Sequence, residues 1–142
     1  MLKYIESYDI KIMDDTKIGD IVLLNNIPCK IINECFRGYT KHHKIKQIIC
    51  KGIFDDMIYE EISQYYSKIL YPIINYNTYN YINKRNNIIE VYDENNNNII
   101  EIIIKIYDDC IKKLMDKISS NHIDIKIFTI EFNNNIRIIN IE

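Results

Sequence analysis

The chain has 142 residues, a formal net charge of −2, 47% hydrophobic residues and 27% charged ones. That is the size of one ordinary domain or two small ones, with enough apolar material for a packed core. It excludes a disordered chain, a collagen, a coiled coil and a disulfide scaffold, and no apolar run approaches the ~18–20 residues of a membrane span. The opening Met1-Leu2-Lys3-Tyr4-Ile5-Glu6 lacks the apolar stretch of a signal peptide, so a cytoplasmic, reducing setting is expected.

Composition is skewed. There are 36 Ile, 18 Asn, 15 Lys and 12 Tyr, against no Ala, no Trp, 3 Gly, 3 Arg and 2 Pro. The favoured residues have AT-rich codons, so the skew reads as genome base bias. The Asn tracts at 95–98 and 133–135 are then loop filler. Gly19, Gly38 and Gly52 persist against that bias, and a positive φ or a tight turn is expected at each.

In chain order, Ile21-Val22-Leu23-Leu24, then Asn25-Asn26, then 27–32 predicts a β-hairpin turning at the Asn pair. Pro28 lacks an N–H and belongs on an edge or at a strand start. A third strand is predicted over 45–50. Ile53-Phe54, Asp55-Asp56 and 57–62 read as a short hairpin. Residues 63–70 are ambiguous between helix and strand, and Tyr71-Pro72 marks a boundary. Strands follow at 73–82, 88–92, 99–104, 123–130 and 136–141. Between the third and fourth of these, Ile106, Cys110, Leu114, Met115 and Ile118 keep helical spacing, with Asp108 and Asp109 placed to cap. Five strands with that one helix is the order of an OB-fold barrel. The expected fold is all-β, two small barrels, with domains at 1–71 and 72–142.

Little here is catalytic. Cys29, Cys35, Cys50 and Cys110 form no CxxC pair, and His42, His43 and His122 complete no zinc spacing, so the thiols read as buried small hydrophobes. There is no Ser/His/Asp or Cys/His set and no phosphate-binding glycine motif. The pairs Asp14-Asp15, Asp55-Asp56 and Asp108-Asp109 suit turns and caps. A protein that is not an enzyme, with no cofactor and no metal, is expected.

Charge is uneven. Residues 35–54 hold no acid but five bases, Arg37, Lys41, Lys44, Lys46 and Lys51, so this stretch carries +5 and the remainder −7. Its centre, Arg37-Gly38-Tyr39-Thr40-Lys41-His42-His43-Lys44, reads as a loop between strands ending near Glu34 and starting near Ile45. A cationic tip on an acidic body suits phosphate backbones, and Tyr39 is available to stack on a base. A merely solvated Lys-rich turn explains the same spacing.

At this loop the chain resembles the translation factor 5A family, the hypusine-containing initiation factor 5A related to bacterial elongation factor P. Lys17-Ile18-Gly19-Asp20-Ile21-Val22-Leu23-Leu24-Asn25-Asn26-Ile27-Pro28-Cys29-Lys30-Ile31-Ile32 is similar to the family's first strands, with Pro-Cys-Lys its most specific part. Gly38-Tyr39-Thr40-Lys41-His42-His43-Lys44 falls in register with the family's loop, placing Lys41 on the modified lysine. Here Thr40 stands where the family has glycine, and His42 and His43 are adjacent where the family separates them by another.

The resemblance implies an N-terminal SH3-like barrel followed by an OB-fold, and a spermidine-derived hypusine on Lys41. Gly38, Tyr39, Thr40, His42 and His43 would form the hypusine loop, with Arg37, Lys44, Lys46 and Lys51 binding RNA. The implied partners are the ribosome, peptidyl-tRNA, deoxyhypusine synthase and its hydroxylase. No membrane is implied, and homodimerisation stays open. The implied role is elongation and initiation: promoting peptide-bond formation at stalled sites such as polyproline, and helping termination. Two alternatives stand beside it. One is a self-assembling structural protein on the same fold, like the Woronin-body protein; the other is an RNA-binding module without hypusine.

Overall fold

Asparagine takes the turn positions that glycine fills in most proteins. The structure, a computed structural model, describes residues 8–142; the segment read for a signal peptide lies outside them. Among the described residues eleven non-glycine residues have positive φ, and nine of them are Asn or Asp, the side chains that tolerate this region best. Asn25-Asn26 and Asn133-Asn134 each close a two-residue hairpin with φ positive at both positions. The Asn-rich tracts therefore include the residues that set the turns.

The chain divides into two compact units, Met1–Ile73 and Ile74–Glu142. In the first, β1 (Tyr8–Ile12), β2 (Ile21–Leu24), β3 (Ile27–Thr40), β4 (His43–Gly52), β5 (Ile58–Gln64) and β6 (Lys68–Pro72) form one antiparallel sheet, ordered β1-β6-β2-β3-β4-β5. The Lys-x-Gly-Asp segment makes the turn into β2. Gly19 sits at φ 99, its N–H donating to Ile31 O at 2.8 Å, and the Asp20 carboxylate accepts from Lys17 N–H and from the Tyr71 hydroxyl. Strand alternation buries Val22, Leu24, Cys29, Ile31, Ile48, Cys50 and Ile69 with Met13 in one core.

One expectation changes here. Ile53-Phe54 is not a strand; it belongs to the turn joining β4 to β5. Gly52 meets the tight-turn expectation without positive φ: its carbonyl accepts from Asp56 N–H, and a Cβ there would overlap the Asp55 carboxylate, which accepts from Met57 N–H and Tyr59 OH. That bond to Asp55 pushes the Tyr59 hydroxyl up to about 12. Tyr71-Pro72 closes an element as expected, with Pro72 ending β6 opposite Tyr8. Pro28 lies at the start of β3, as expected.

The second unit has β7 (Asn75–Arg85), β8 (Ile88–Asp93), β9 (Asn98–Ile103), helix α1 (Asp109–Ser119), β10 (Lys126–Phe132) and β11 (Asn135–Ile141). Its sheet runs β11-β10-β7-β8-β9, antiparallel throughout. Asp108 caps α1 by accepting from Ile111 N–H at 3.1 Å and also accepts from Arg137 of β11. Ile111 and Leu114 of the helix face Ile89, Val91, Ile102, Ile127, Ile138 and Ile141. Among the described residues no helix is long and apolar enough to cross a membrane.

All four cysteines are free. Cys29 and Cys50 are buried; burial pushes their thiols up to about 11 and about 12, Asp55 adding to the first and Cys29 to the second. Cys35 is exposed and Cys110 half-buried, so the small-hydrophobe reading fails for Cys35. Because the thiolate is the nucleophile, alkylation of the native chain is expected to label Cys35 first, Cys110 slowly, and Cys29 and Cys50 only on unfolding. Rapid labelling of all four, read by peptide mass, would contradict the packing of the first unit.

A cationic ribbon tip as the candidate functional site

The basic stretch is not a long loop. β3 continues through Thr40 and β4 begins at His43, so the strands run six residues later and two earlier than their sequence pattern implies. β2 accompanies β3 only as far as Lys30, and β5 accompanies β4 only from Ile45 onward. Past Phe36 opposite Lys46, where Ser63 of β5 still flanks Lys46 and Tyr65 N–H donates to Lys44 O, the two strands run on as a ribbon tip with Tyr39 opposite Lys44 and Thr40 opposite His43. Gly38, at φ 101, supplies the extra residue of a bulge between Phe36 and Tyr39. From Ile45 the tip extends on the order of 10 Å at strand rise.

Lys41 and His42 are the whole turn, at φ 48 and φ 72. Two positive φ values in a two-residue loop define the type I′ turn, which Asn-Gly suits best. The chain uses Asn for this purpose elsewhere, yet Lys41 and His42 are the two positive-φ residues among the described, glycine aside, that are neither Asn nor Asp. Each costs on the order of 1 kcal/mol in this conformation. This uncommon conformation falls at an exposed tip that contributes no core packing. The double substitution Lys41→Asn with His42→Gly is accordingly expected to raise stability by about 1 kcal/mol, read in urea unfolding. A loss of stability would show that the pair is not strained.

Arg37, Tyr39, Thr40, Lys41, His42, His43 and Lys44 are all exposed, and the ribbon brings them together at its end. Two proposed phosphate contacts are not among them. Lys46 is 6% exposed, and its ammonium donates to Met13 O at 3.0 Å and Thr16 O at 2.9 Å and pairs with Glu34 at 3.2 Å. It ties the ribbon's base to the 3-10 turn Met13–Asp15 and is a structural lysine. Lys51 is exposed but lies eight residues from His43 along β4, roughly 25 Å at strand rise, with Asp56 beside it at 4.0 Å. The tip cations are thus Arg37, Lys41 and Lys44.

Two ring residues escaped the sequence reading. Phe36, about half exposed, stands edge-on to Tyr39 at 5.3 Å between ring centroids, and Tyr65 lies 6.4 Å from Phe36. Lys44 and Lys46 each place their ammonium 5.9 Å from the Tyr65 ring. Phe36 and Tyr39 are three residues apart, a spacing that puts them on opposite faces of a regular strand, and only the bulge between them brings both rings to one face. Among the described residues no group of three or more His, Cys, Asp or Glu is arranged to hold a metal ion.

No protein-family model and no curated protein matches the chain. Solved structures do. A eukaryotic translation initiation factor 5A from Methanococcus jannaschii superposes with TM-score 0.76 at 16% identity, covering 96% of each chain. A translation initiation factor eIF-5A family protein from Naegleria fowleri superposes with TM-score 0.78 at 15% identity, covering 96% of this chain and 99% of that one. At such identity the shared property is architecture, and it extends over nearly the full length of all three chains. The protein therefore has the all-β, two-domain fold of translation initiation factor 5A, an SH3-like barrel followed by an OB-fold with one helix.

Proposed function

We propose that the chain is a translation factor of the 5A type, not an enzyme, acting through Lys41. The observation that carries this reading is the strained Lys41-His42 turn at the end of an exposed cationic ribbon on a 5A fold. A lysine there is a point cation on a four-carbon stem. Spermidine-derived hypusination, by deoxyhypusine synthase and then hydroxylase, lengthens that stem and adds a second amine. The tip could then reach RNA phosphates and sugars in a cleft of the ribosome too narrow for a folded barrel. By holding the acceptor end of peptidyl-tRNA in a reactive pose it would lower the entropic part of the ribosome's own barrier, at polyproline stalls and at termination. Arg37 and Lys44 would add sequence-independent phosphate contacts. The cytoplasm is the proposed compartment.

The self-assembly alternative calls for a long, flat strand edge. Among the described residues the edge strands β1, β5, β9 and β11 are five to seven residues long, β5 interrupts its exposed Ile58 and Ile62 with Glu60 and Glu61, and the longer unpaired side of β3 beyond Lys30 is broken by the bulge at Gly38 and carries Arg37. That geometry does not favour assembly. The test is peptide mass spectrometry of the chain from its native cell together with co-sedimentation on ribosomes. The expected result is a Lys41 peptide heavier by a hydroxylated aminobutyl group, and salt-sensitive ribosome binding. An unmodified Lys41 on a chain that stays free of ribosomes would sink the proposal.

A further inference from the structure

On the reading that the ribbon tip faces RNA, we infer that Phe36 and Tyr39 form a stacking site for one unpaired nucleobase, with Lys44 as its phosphate partner. The bulge at Gly38 turns Phe36 and Tyr39 onto the same face of the ribbon, opposite Lys46 and Lys44 respectively. Tyr39 is 66% exposed and Phe36 52%. Their rings are held edge to face at 5.3 Å, 75° apart, and Tyr65 braces Phe36 from the end of β5. Edge-to-face packing leaves ring faces free for a third planar group.

The surroundings select the occupant. Residues 35–54 carry no acid. The nearest carboxylate in sequence, Glu34, is paired with Lys46. Lys44 stands directly across from Tyr39, and Lys41 lies two residues beyond Tyr39 at the turn. An exposed ring face flanked by cations fits a unit that has both a π-face and a negative charge, and a nucleotide of single-stranded RNA offers both within one residue. An acidic peptide meets the cations but leaves the rings unfilled. Exposed rings at the base of a strained tip are otherwise a cost, since they gain no core burial.

The test uses the full chain, a fluorescent oligouridine and an abasic ribose-phosphate strand of equal length, with binding read by anisotropy at two salt concentrations. The chain is expected to prefer the strand with bases by about tenfold. Phe36→Leu with Tyr39→Leu should erase that preference and leave the salt slope alone. Tyr39→Leu by itself, which leaves the Phe36–Tyr65 contact in place, should reduce it by several fold. Lys44→Gln should keep the preference and flatten the log–log salt slope by about one. Equal binding of the two strands, a preference that survives the double substitution, no binding of either strand, or tighter binding of an acidic peptide competitor overturns the inference. Ribosome co-sedimentation on the same samples separates the two ideas. Ribosome binding without base preference defeats the stacking site alone; base preference without ribosome binding defeats the translation role alone.

Discussion

Lys46→Met is expected to destabilise the first unit by about 2–3 kcal/mol, lowering its melting temperature by roughly 10–20 °C. The methionine fills the space of the lysine stem, so the loss is polar rather than steric. The ammonium donates to the carbonyls of Met13 and Thr16 and forms an ion pair with the carboxylate of Glu34. Removing it strands two carbonyls in a site where the lysine is only 6% exposed. An unsatisfied buried acceptor costs about 1–3 kcal/mol. The ion pair adds less than a fully buried one, because the Glu34 side chain as a whole is 34% exposed, although the Oε2 atom facing Lys46 is itself buried. Glu34→Gln should therefore cost under about 1 kcal/mol. If Lys46 were instead a phosphate contact, its substitution would weaken RNA binding and leave the melting temperature in place, the reverse of this expectation. Denaturant unfolding of the two variants distinguishes these outcomes.

The same lysine shows what sequence can and cannot carry. Most of the strands, the single helix and its Asp108 cap were legible because they depend on local signals, apolar alternation, Asn turns and 3.6-residue spacing, whereas β1 was not read and β6 lies largely in the segment 63–70 left open between helix and strand. Val22, Leu24, Ile31 and Ile48 repeat in a pattern that a buried face imposes. The ribbon has no such face. Residues 36–44 leave the sheet exposed on both sides, so no alternation marks them as strands, and they read as a loop. Their strand character comes from cross-strand hydrogen bonding between β3 and β4, which composition does not record.

Charge misled for a related reason. Lys44, Lys46 and Lys51 are equivalent letters in a basic run, yet one is exposed at the tip, one is buried and one lies far down the strand. Their fates differ through parity and distance along β4, and parity has meaning only once the register with β3 is known. The bulge at Gly38 shifts that register by one, and this brings Phe36 and Tyr39 together. Glycine scarcity did flag Gly38, and the sequence pattern did place Lys41 at the centre of the basic stretch. It could not show that Lys41 is half of a two-residue turn.

That turn makes Lys41→Arg the most informative single substitution for the proposed role. Arginine keeps the positive charge and a long stem, and it has similar freedom in the turn, so a tip that only attracts phosphate should retain most of its activity. It lacks the primary amine onto which an aminobutyl group is transferred, so a tip that needs hypusine should lose activity as fully as with Lys41→Ala. On the proposed reading both variants abolish rescue of polyproline synthesis in a reconstituted translation assay, while melting temperatures stay within a few degrees of the parent, because Lys41 is exposed and outside the core. Ribosome binding should fall further for Ala than for Arg, since only Ala removes the charge. Rescue by the arginine variant would leave a cationic RNA-binding tip without hypusine. Rescue by both would move the effector away from position 41. The double variant carrying Lys41→Asn and His42→Gly should behave as the alanine variant does in translation while being the more stable protein, separating what the turn costs in folding from what it contributes on the ribosome.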